Sequence, residues 1–415
     1  VANWAGNIRF RAAELVRPRS VARVQRIVAS NDRLRVLGSG HSFSPIADTR
    51  GVLVSLADLP AMVEVDAGRA QVRVAGGLRY RDVVVLLDEA GFALANLASL
   101  PHIGIAGAVA TGTHGSGVDN PGLDAAVAAI ELVTADGDLV EIRRGDPRFP
   151  GSVVSLGCLG VVVSLTLDLV PRFAMRQYVY ERMPLAMVLA NVDDVLGRAY
   201  SVSLFTTWRS DAVDQVWVKE MIGSDPTPAS GDWLGARLAD RKLHVIDGAD
   251  PVSCTPQLGE PGPWYDRLPH FRLDGAPSFG DELQSEYLLP LERAAEALRA
   301  VATVADVVAA PLLVAEVRSV AADEQWLSPA HGRDTVALHF TWVSELGRVL
   351  PAVGALEAVL MPLGARPHWG KVFLAPPEVV ATGYERLADF RAIAGELDPR
   401  GKFRNEFVDR YLFGA

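Results

Sequence analysis

RSVARVQRIVASND, from Arg19, sets Val21, Val24, Ile27 and Val28 at helical spacing and predicts an amphipathic helix. RVLGSG follows as a strand running into a glycine turn, and VLVSL from Val52 as another strand. MVEVDAGRAQVRVAGG reads as a hairpin turned at Asp66-Ala67-Gly68, and VAAIELVTADGDLVEI as a second, turned at Asp136-Gly137. Between them, RYRDVVVLLDEAG from Arg79 is a helix stopped by Gly91. The most apolar window, VVSLGCLGVVVSLTLDLV from Val153, is near the length of a membrane span. Its valines, its glycines Gly157 and Gly160 and the closing Asp168 before Pro171 predict two buried strands instead. The first 170 or so residues therefore form an α+β unit.

The texture changes after Pro171. FAMRQYVYERM alternates like a half-exposed strand, and SVSLFTTW and VDQVWVKEM follow as strands. Residues 223 to 282, rich in Pro, Gly and Asp, predict a long loop region. LERAAEALRAV and SELGRVLPAVGALEAVL are helices, set among the strands PLLVAEVRSV, TVALHFTWV and ARPHWGKVFL. This alternation predicts a second domain, a sheet covered by helices. From Glu378 the tail is helical and ends in DPRGKFRNEFVDRYLF.

Length and charge narrow the function classes. At 415 residues the chain exceeds one ordinary core and suggests two domains. A net charge of −10 argues against nucleic acid and against an anionic membrane surface. The only cysteines, Cys158 and Cys254, are far apart, which excludes a disulfide framework and makes the cytoplasm the expected location. Four of the forty basic residues are lysine (Lys219, Lys242, Lys371 and Lys402), a bias typical of GC-rich bacterial genomes.

Candidate chemistry begins with GSGHSF, residues 38–43. Small residues let backbone amides converge on an anion. The Rossmann pattern fails at Phe43, and the Walker pattern lacks its Gly-Lys-Ser/Thr. Taken alone, the stretch is better read as a tight turn with a surface histidine. NLASLPHIGIAGAVATGTHGSG, residues 96–117, adds Gly104, Gly107, Gly112, Gly115 and Gly117 among Thr111, Thr113, His114 and Ser116. That much bare backbone suits a pyrophosphate and ribose or a flat ring, and GCLGVVV, residues 157–163, offers a third such surface. No ligand spacing points to a metal at His102 or His114. In the second domain Glu316 and Arg318 share one face of a strand, as do His339 and Thr341, and Lys371 follows Trp369-Gly370. Charges in nearly buried strands form either an ion-pair network or a wet outer face, or they line a polar pocket for a hydroxylated substrate.

The ordered set GSGHSF, ATGTHGSG, QSEYLLPLE, AEVRSV, LHFTW and HWGK resembles the FAD oxidoreductases of the vanillyl-alcohol-oxidase fold. Among them it is most similar to the aldonolactone oxidases and the bacterial alditol (xylitol/sorbitol) oxidases, over essentially the whole chain. The resemblance implies an α+β fold of two domains. The FAD-binding domain takes residues 1–172, an α/β cap over the flavin takes 173–376, and a segment at 377–415 returns to the FAD domain. It implies FAD bound by Gly38, Ser39, Gly40, His41, Ser42, Ser99, Gly107, Thr111, Gly112, Thr113, His114, Gly115, Gly160 and Val161, and joined covalently to His41. It implies oxidation of a terminal polyol hydroxyl to the aldose, with oxygen reduced to hydrogen peroxide. Lys371 and Arg318 act on the reacting hydroxyl, and Ser99, Glu316, His339 and Thr341 complete the substrate site. The alternatives are a sugar-1,4-lactone oxidase, a dehydrogenase in which Ala98 obstructs oxygen, and a non-catalytic FAD-fold protein. The expected partners are a small polyol and oxygen, with no nucleic acid, membrane or metal, and the expected state is a monomer.

Overall fold

The computed structural model describes residues 1–224, 231–275 and 282–414. In the N-terminal part a small parallel sheet orders Glu14–Val16, Val52–Val54 and Leu34–Val36. Val21–Ala29 packs beside it through Val24, Ile27 and Val28, with Ser20 capping the first turn. An antiparallel sheet follows in the order Val63–Asp66, Gln71–Ala75, Val161–Asp168, Val127–Val133, Leu139–Arg143. Both predicted hairpins are present.

The window from Val153 is a correction: residues 154–160 form no strand, Val161–Asp168 is the one long strand, and Phe149–Val153 is a short helix. The reason lies in Arg35, whose buried guanidinium takes the carbonyls of Leu156 and Gly157. Those carbonyls turn inward because Leu156 and Gly157 adopt left-handed φ of 52° and 70°, which an extended strand forbids.

The cap is one antiparallel sheet. Its path is Arg237–Leu238, Ala174–Pro184, Ala212–Met221, Ser201–Thr206, Leu312–Val320, Thr335–Val343, Glu282–Pro290, Arg366–Pro367. Period-2 alternation sorts its two faces. Leu204, Val317, Leu338 and Tyr287 join a core with Ala297, Val301, Val353 and Leu356 of the helices Ala294–Ala302 and Leu346–Leu360. Phe205, Glu316, His339 and Glu286 point the other way, into a cavity. Glu282–Pro290 is a strand that begins where the predicted loop region ends. The predicted loop region carries only short elements where it is described; its residues 225–230 and 276–281 lie outside the described residues.

ARPHWGKVFL is also corrected. Pairing stops after Arg366–Pro367, and residues 368–371 loop out between two bonds to the neighbouring strand. His368 N–H donates to Glu286 O at 2.9 Å and Val372 N–H to Gln284 O at 2.8 Å. The turn closes through Lys371 N–H to His368 O and Gly370 N–H to His368 Nδ1, both at 3.1 Å.

Backbone bonds join the two parts. Gly117 N–H donates to Ser319 O at 3.0 Å and Ala321 N–H to Asn120 O at 3.1 Å. Phe43 N–H donates to Gly370 O at 2.6 Å. The tail lies on the N-terminal part: Leu34 N–H donates to Lys402 O at 3.0 Å, and Lys402 Nζ reaches Val28 O and Ala135 O at 2.6 Å each. Asn405 Nδ2 donates to the carbonyls of Pro45, Ile46 and Asp48.

Candidate active site

One cavity runs from the glycine loops to the inner face of the cap sheet. Gly38, Ser39, Gly40, His41, Ser42, Ser99, Gly107, Thr111, Thr113, His114 and Gly160 border it. Gly112, Gly115 and Val161 do not. A Cβ on Gly112 would meet Pro329 Cδ at 2.8 Å and one on Gly115 would meet Asn96 Oδ1 at 2.1 Å, so these two glycines serve close packing. Val161 is fully buried, and the strand's alternation turns Val162 to the cavity instead. Ser99, Glu316, Arg318, His339, Thr341 and Lys371 all border the cavity, as does Ala98.

The GSGHS turn suits an anion. Among the described residues, the five consecutive amides of residues 38–42 donate to no group of the protein, and all five residues border the cavity. Acceptors for such a run must come from a ligand or solvent. FAD fits this donor set, because its pyrophosphate offers several acceptor oxygens. Arg35 lies against the same wall, pinned by four backbone carbonyls. His41 is held down to about 4 by burial first, then by Lys371 and His102, so its ring is neutral at pH 7.

The cap contributes rows of side chains set by strand register. Phe205, Glu316, His339 and Glu286 stand opposite one another across four strands. In the adjoining row Val314, Thr341 and Gln284 align the same way. Glu286 is the centre of charge. Its Oε1 accepts from Arg318 Nη2 at 2.6 Å and its Oε2 from Lys371 Nζ at 2.8 Å, with His114 Nε2 at 3.3 Å. Burial alone would raise the Glu286 carboxyl, but Lys371, His114 and Arg318 hold it well below the usual range. Glu316 is likewise held low against burial by Arg318, His270 and His339. Burial lowers Lys371 from the ordinary lysine value, opposed by Glu286 and assisted by Arg318. Burial brings His339 and His270 to about 4. Among the described residues, Arg318 Nε, 3.5 Å from Glu316 Oε1, and His339 Nε2 are buried without a hydrogen-bond partner, which makes them available to a ligand.

The sequence reading did not single out Glu286, His270 or Lys219 as site residues. His270 Nε2 pairs with Glu316 Oε1 at 2.7 Å. Lys219 Nζ donates to the carbonyls of Arg267, Leu268 and Pro269 at 2.8, 2.6 and 2.8 Å and so fixes the loop that carries His270. The next amides, His270 N–H and Phe271 N–H, donate to Ser99 O. The alternation of Glu282, Gln284 and Glu286 with Leu283, Ser285 and Tyr287 is a strand signal that points to Glu286. No local pattern marks the other two, because their partners lie at least 46 residues away.

Residues 12–143 match the FAD binding domain family and residues 281–411 the D-arabinono-1,4-lactone oxidase family. The chain is 50% identical to alditol oxidase of a Streptomyces species over 100% of this chain and 99% of that one. It is 30% identical to L-gulono-1,4-lactone dehydrogenase of Mycobacterium tuberculosis over 99% and 98% of the two chains. The fold is shared with cholesterol oxidase from B. sterolicum, at a TM-score of 0.79 and 14% identity, covering 99% of this chain and 96% of that one.

Proposed function

This chain belongs to the FAD-dependent oxidoreductase family that includes alditol oxidase, and from that premise we propose that it oxidises the terminal hydroxyl of acyclic polyols such as xylitol and sorbitol to the aldose. One observation carries the substrate reading. The cavity bordered by the flavin loops is continuous with a cap wall bearing Glu316, Arg318, His339, Thr341, Gln284 and Lys371, a mixture of acceptors and donors suited to successive hydroxyl groups. FAD held by the amides of residues 38–42 would supply the hydride acceptor for the alcohol carbon and a route for the two electrons to oxygen, with hydrogen peroxide as the product.

The chain's own groups do the rest. Lys371 and Arg318, held side by side by Glu286, bind the reacting hydroxyl and stabilise negative charge as it develops on oxygen. Lys371, with its hold on its proton weakened by burial, is placed to exchange a proton with that hydroxyl. Glu316, oriented by His270, accepts hydrogen bonds from the next hydroxyls, with Ser99 beside it and Thr341 farther along. His339 presents Nε2 to the same space. The neutral His41 is the residue to which the flavin is joined.

We further read residues 1–172 with 377–415 as the FAD domain and 173–376 as the cap, in a monomeric cytoplasmic enzyme that uses no nucleic acid or membrane. The charge of −10 and the free buried Cys158 and Cys254 support that reading.

The second reading, a lactone substrate, rests on the D-arabinono-1,4-lactone oxidase match over residues 281–411. Oxygen uptake by the purified yellow protein separates the two. Uptake with xylitol and none with a sugar 1,4-lactone is the expected result; uptake with the lactone alone transfers the same site to lactone oxidation.

A further inference from the structure

We infer that the N-terminal segment 3–7, through Trp4, orients His41 for covalent attachment of the flavin; this rests on the reading that His41 is the attachment site. The reacting nitrogen needs a defined ring orientation, and nothing polar supplies it. Among the described residues the His41 imidazole makes no hydrogen bond and no ion pair, whereas His114, His270 and His368 are hydrogen-bonded and His339 faces Glu316 at 3.6 Å. Its orientation comes from aromatic faces. Trp4 lies with its ring centroid 4.5 Å from that of His41 at an interplanar angle of 38°, and Phe43 stands at 5.9 Å and 74°. Trp4 and Phe43 also pack edge to face at 6.3 Å, so the imidazole sits in a corner of two rings.

That corner is built by the segment's polar groups. Trp4 N–H donates to Gly40 O at 2.8 Å. Asn3 Nδ2 donates to Ser42 O at 2.9 Å and to Asn7 Oδ1 at 2.6 Å, and Asn7 Nδ2 donates to Phe43 O at 3.1 Å. Asn3 Oδ1 in turn accepts from Ile8 N–H at 2.9 Å, closing the segment on itself. The carbonyls on both sides of His41 are thus tied down, at residues 40, 42 and 43. This frees the amides of residues 38–42 to face a ligand while the ring is held from behind.

Attachment replaces one C–H bond of the flavin 8α-methyl and the imidazole N–H bond by a C–N bond. The two electrons released rest on the flavin ring and pass to oxygen, which with the two protons leaves as hydrogen peroxide. Positioning controls the rate of such a step, since a neutral imidazole nitrogen is a competent nucleophile only when aimed at the carbon. Trp4 and Asn7 touch neither reacting atom and act as positioning residues.

The test expresses wild type, Trp4→Ala, Trp4→Phe, Asn7→Ala and His41→Ala without flavin, adds FAD, and follows two readouts over time. One is flavin fluorescence retained by the acid-precipitated, gel-separated protein; the other is total bound FAD from the visible spectrum before precipitation. Trp4→Ala is expected to bind FAD yet attach it at least tenfold more slowly, with Trp4→Phe near wild type. Asn7→Ala, a milder change that keeps the ring, is expected to slow attachment about threefold. Wild-type attachment rates in both Trp4→Ala and Asn7→Ala overturn the inference, and if Trp4→Ala fails to bind FAD, Asn7→Ala alone decides. Covalent flavin in His41→Ala overturns the attachment site itself, a different failure.

Discussion

Replacing Glu286 with Gln removes the charge that holds Arg318 and Lys371 together while keeping the side chain's shape. The carboxylate makes contacts of 2.6 and 2.8 Å to the two cations and is almost entirely buried. Leaving a buried charge without its partner costs about 3–5 kcal/mol. Arg318 retains Glu316, whose Oε1 is 3.5 Å from its Nε, so the loss falls mainly on Lys371. Losing one aimed stabiliser of developing charge raises a barrier by about 3 kcal/mol. At about 1.4 kcal/mol per decade that is roughly a hundredfold in rate. The assay is stopped-flow bleaching of the flavin by xylitol without oxygen, followed by separate reoxidation of the reduced enzyme. Glu286→Gln is expected to slow bleaching about a hundredfold and to change reoxidation by less than about threefold. It also removes the attraction that raises Lys371, whereas burial and Arg318 still lower it. The pH profile of bleaching therefore moves to lower pH. Bleaching within about threefold of wild type, with an unmoved profile, refutes the role of Glu286.

Lys371→Met is expected to slow anaerobic bleaching by about 10²–10³ and leave reoxidation intact, as read by the same instrument. Lys219→Met strands three buried carbonyls and frees the His270 loop. It should lower stability by about 3 kcal/mol or more in denaturant titration, and raise the KM for xylitol more than it lowers kcat. Acid should destabilise the fold between pH 6.5 and 4. His270 and His339 bind protons only near 4 when folded but near 6.5 when unfolded, so the unfolded chain takes up more protons in that window. Each contribution is complete above 6.5 and is reduced by about 2 kcal/mol at pH 5. Thermal unfolding at pH 7 and 5 should differ by several degrees, and His270→Gln should narrow the gap.

Elements whose signal is local were readable from the chain. The hairpins at residues 63–75 and 127–143 announce themselves by alternation around a glycine turn, and Glu316, Arg318, His339 and Thr341 share faces because strand parity alone decides it. Misreadings occur where a distant side chain overrides local preference. The valine-rich window from Val153 bends because Arg35, more than a hundred residues earlier, takes its carbonyls. HWGK loops out because Glu286 and Gln284 bracket it from a neighbouring strand. Lys219 has no local signature at all, since its three acceptors are backbone atoms that any sequence provides.

The loop around His41 is held by two segments about four hundred residues apart in sequence, around Asn3 and Asn7 and at Asn405. Asn3 and Asn7 grip the carbonyls of Ser42 and Phe43, and Asn405 grips those of Pro45, Ile46 and Asp48. A nascent polypeptide can close the first clamp once Phe43 has been made but gains the second only when synthesis has passed Asn405. Flavin attached at His41 would then report that the polypeptide had been made at least as far as Asn405.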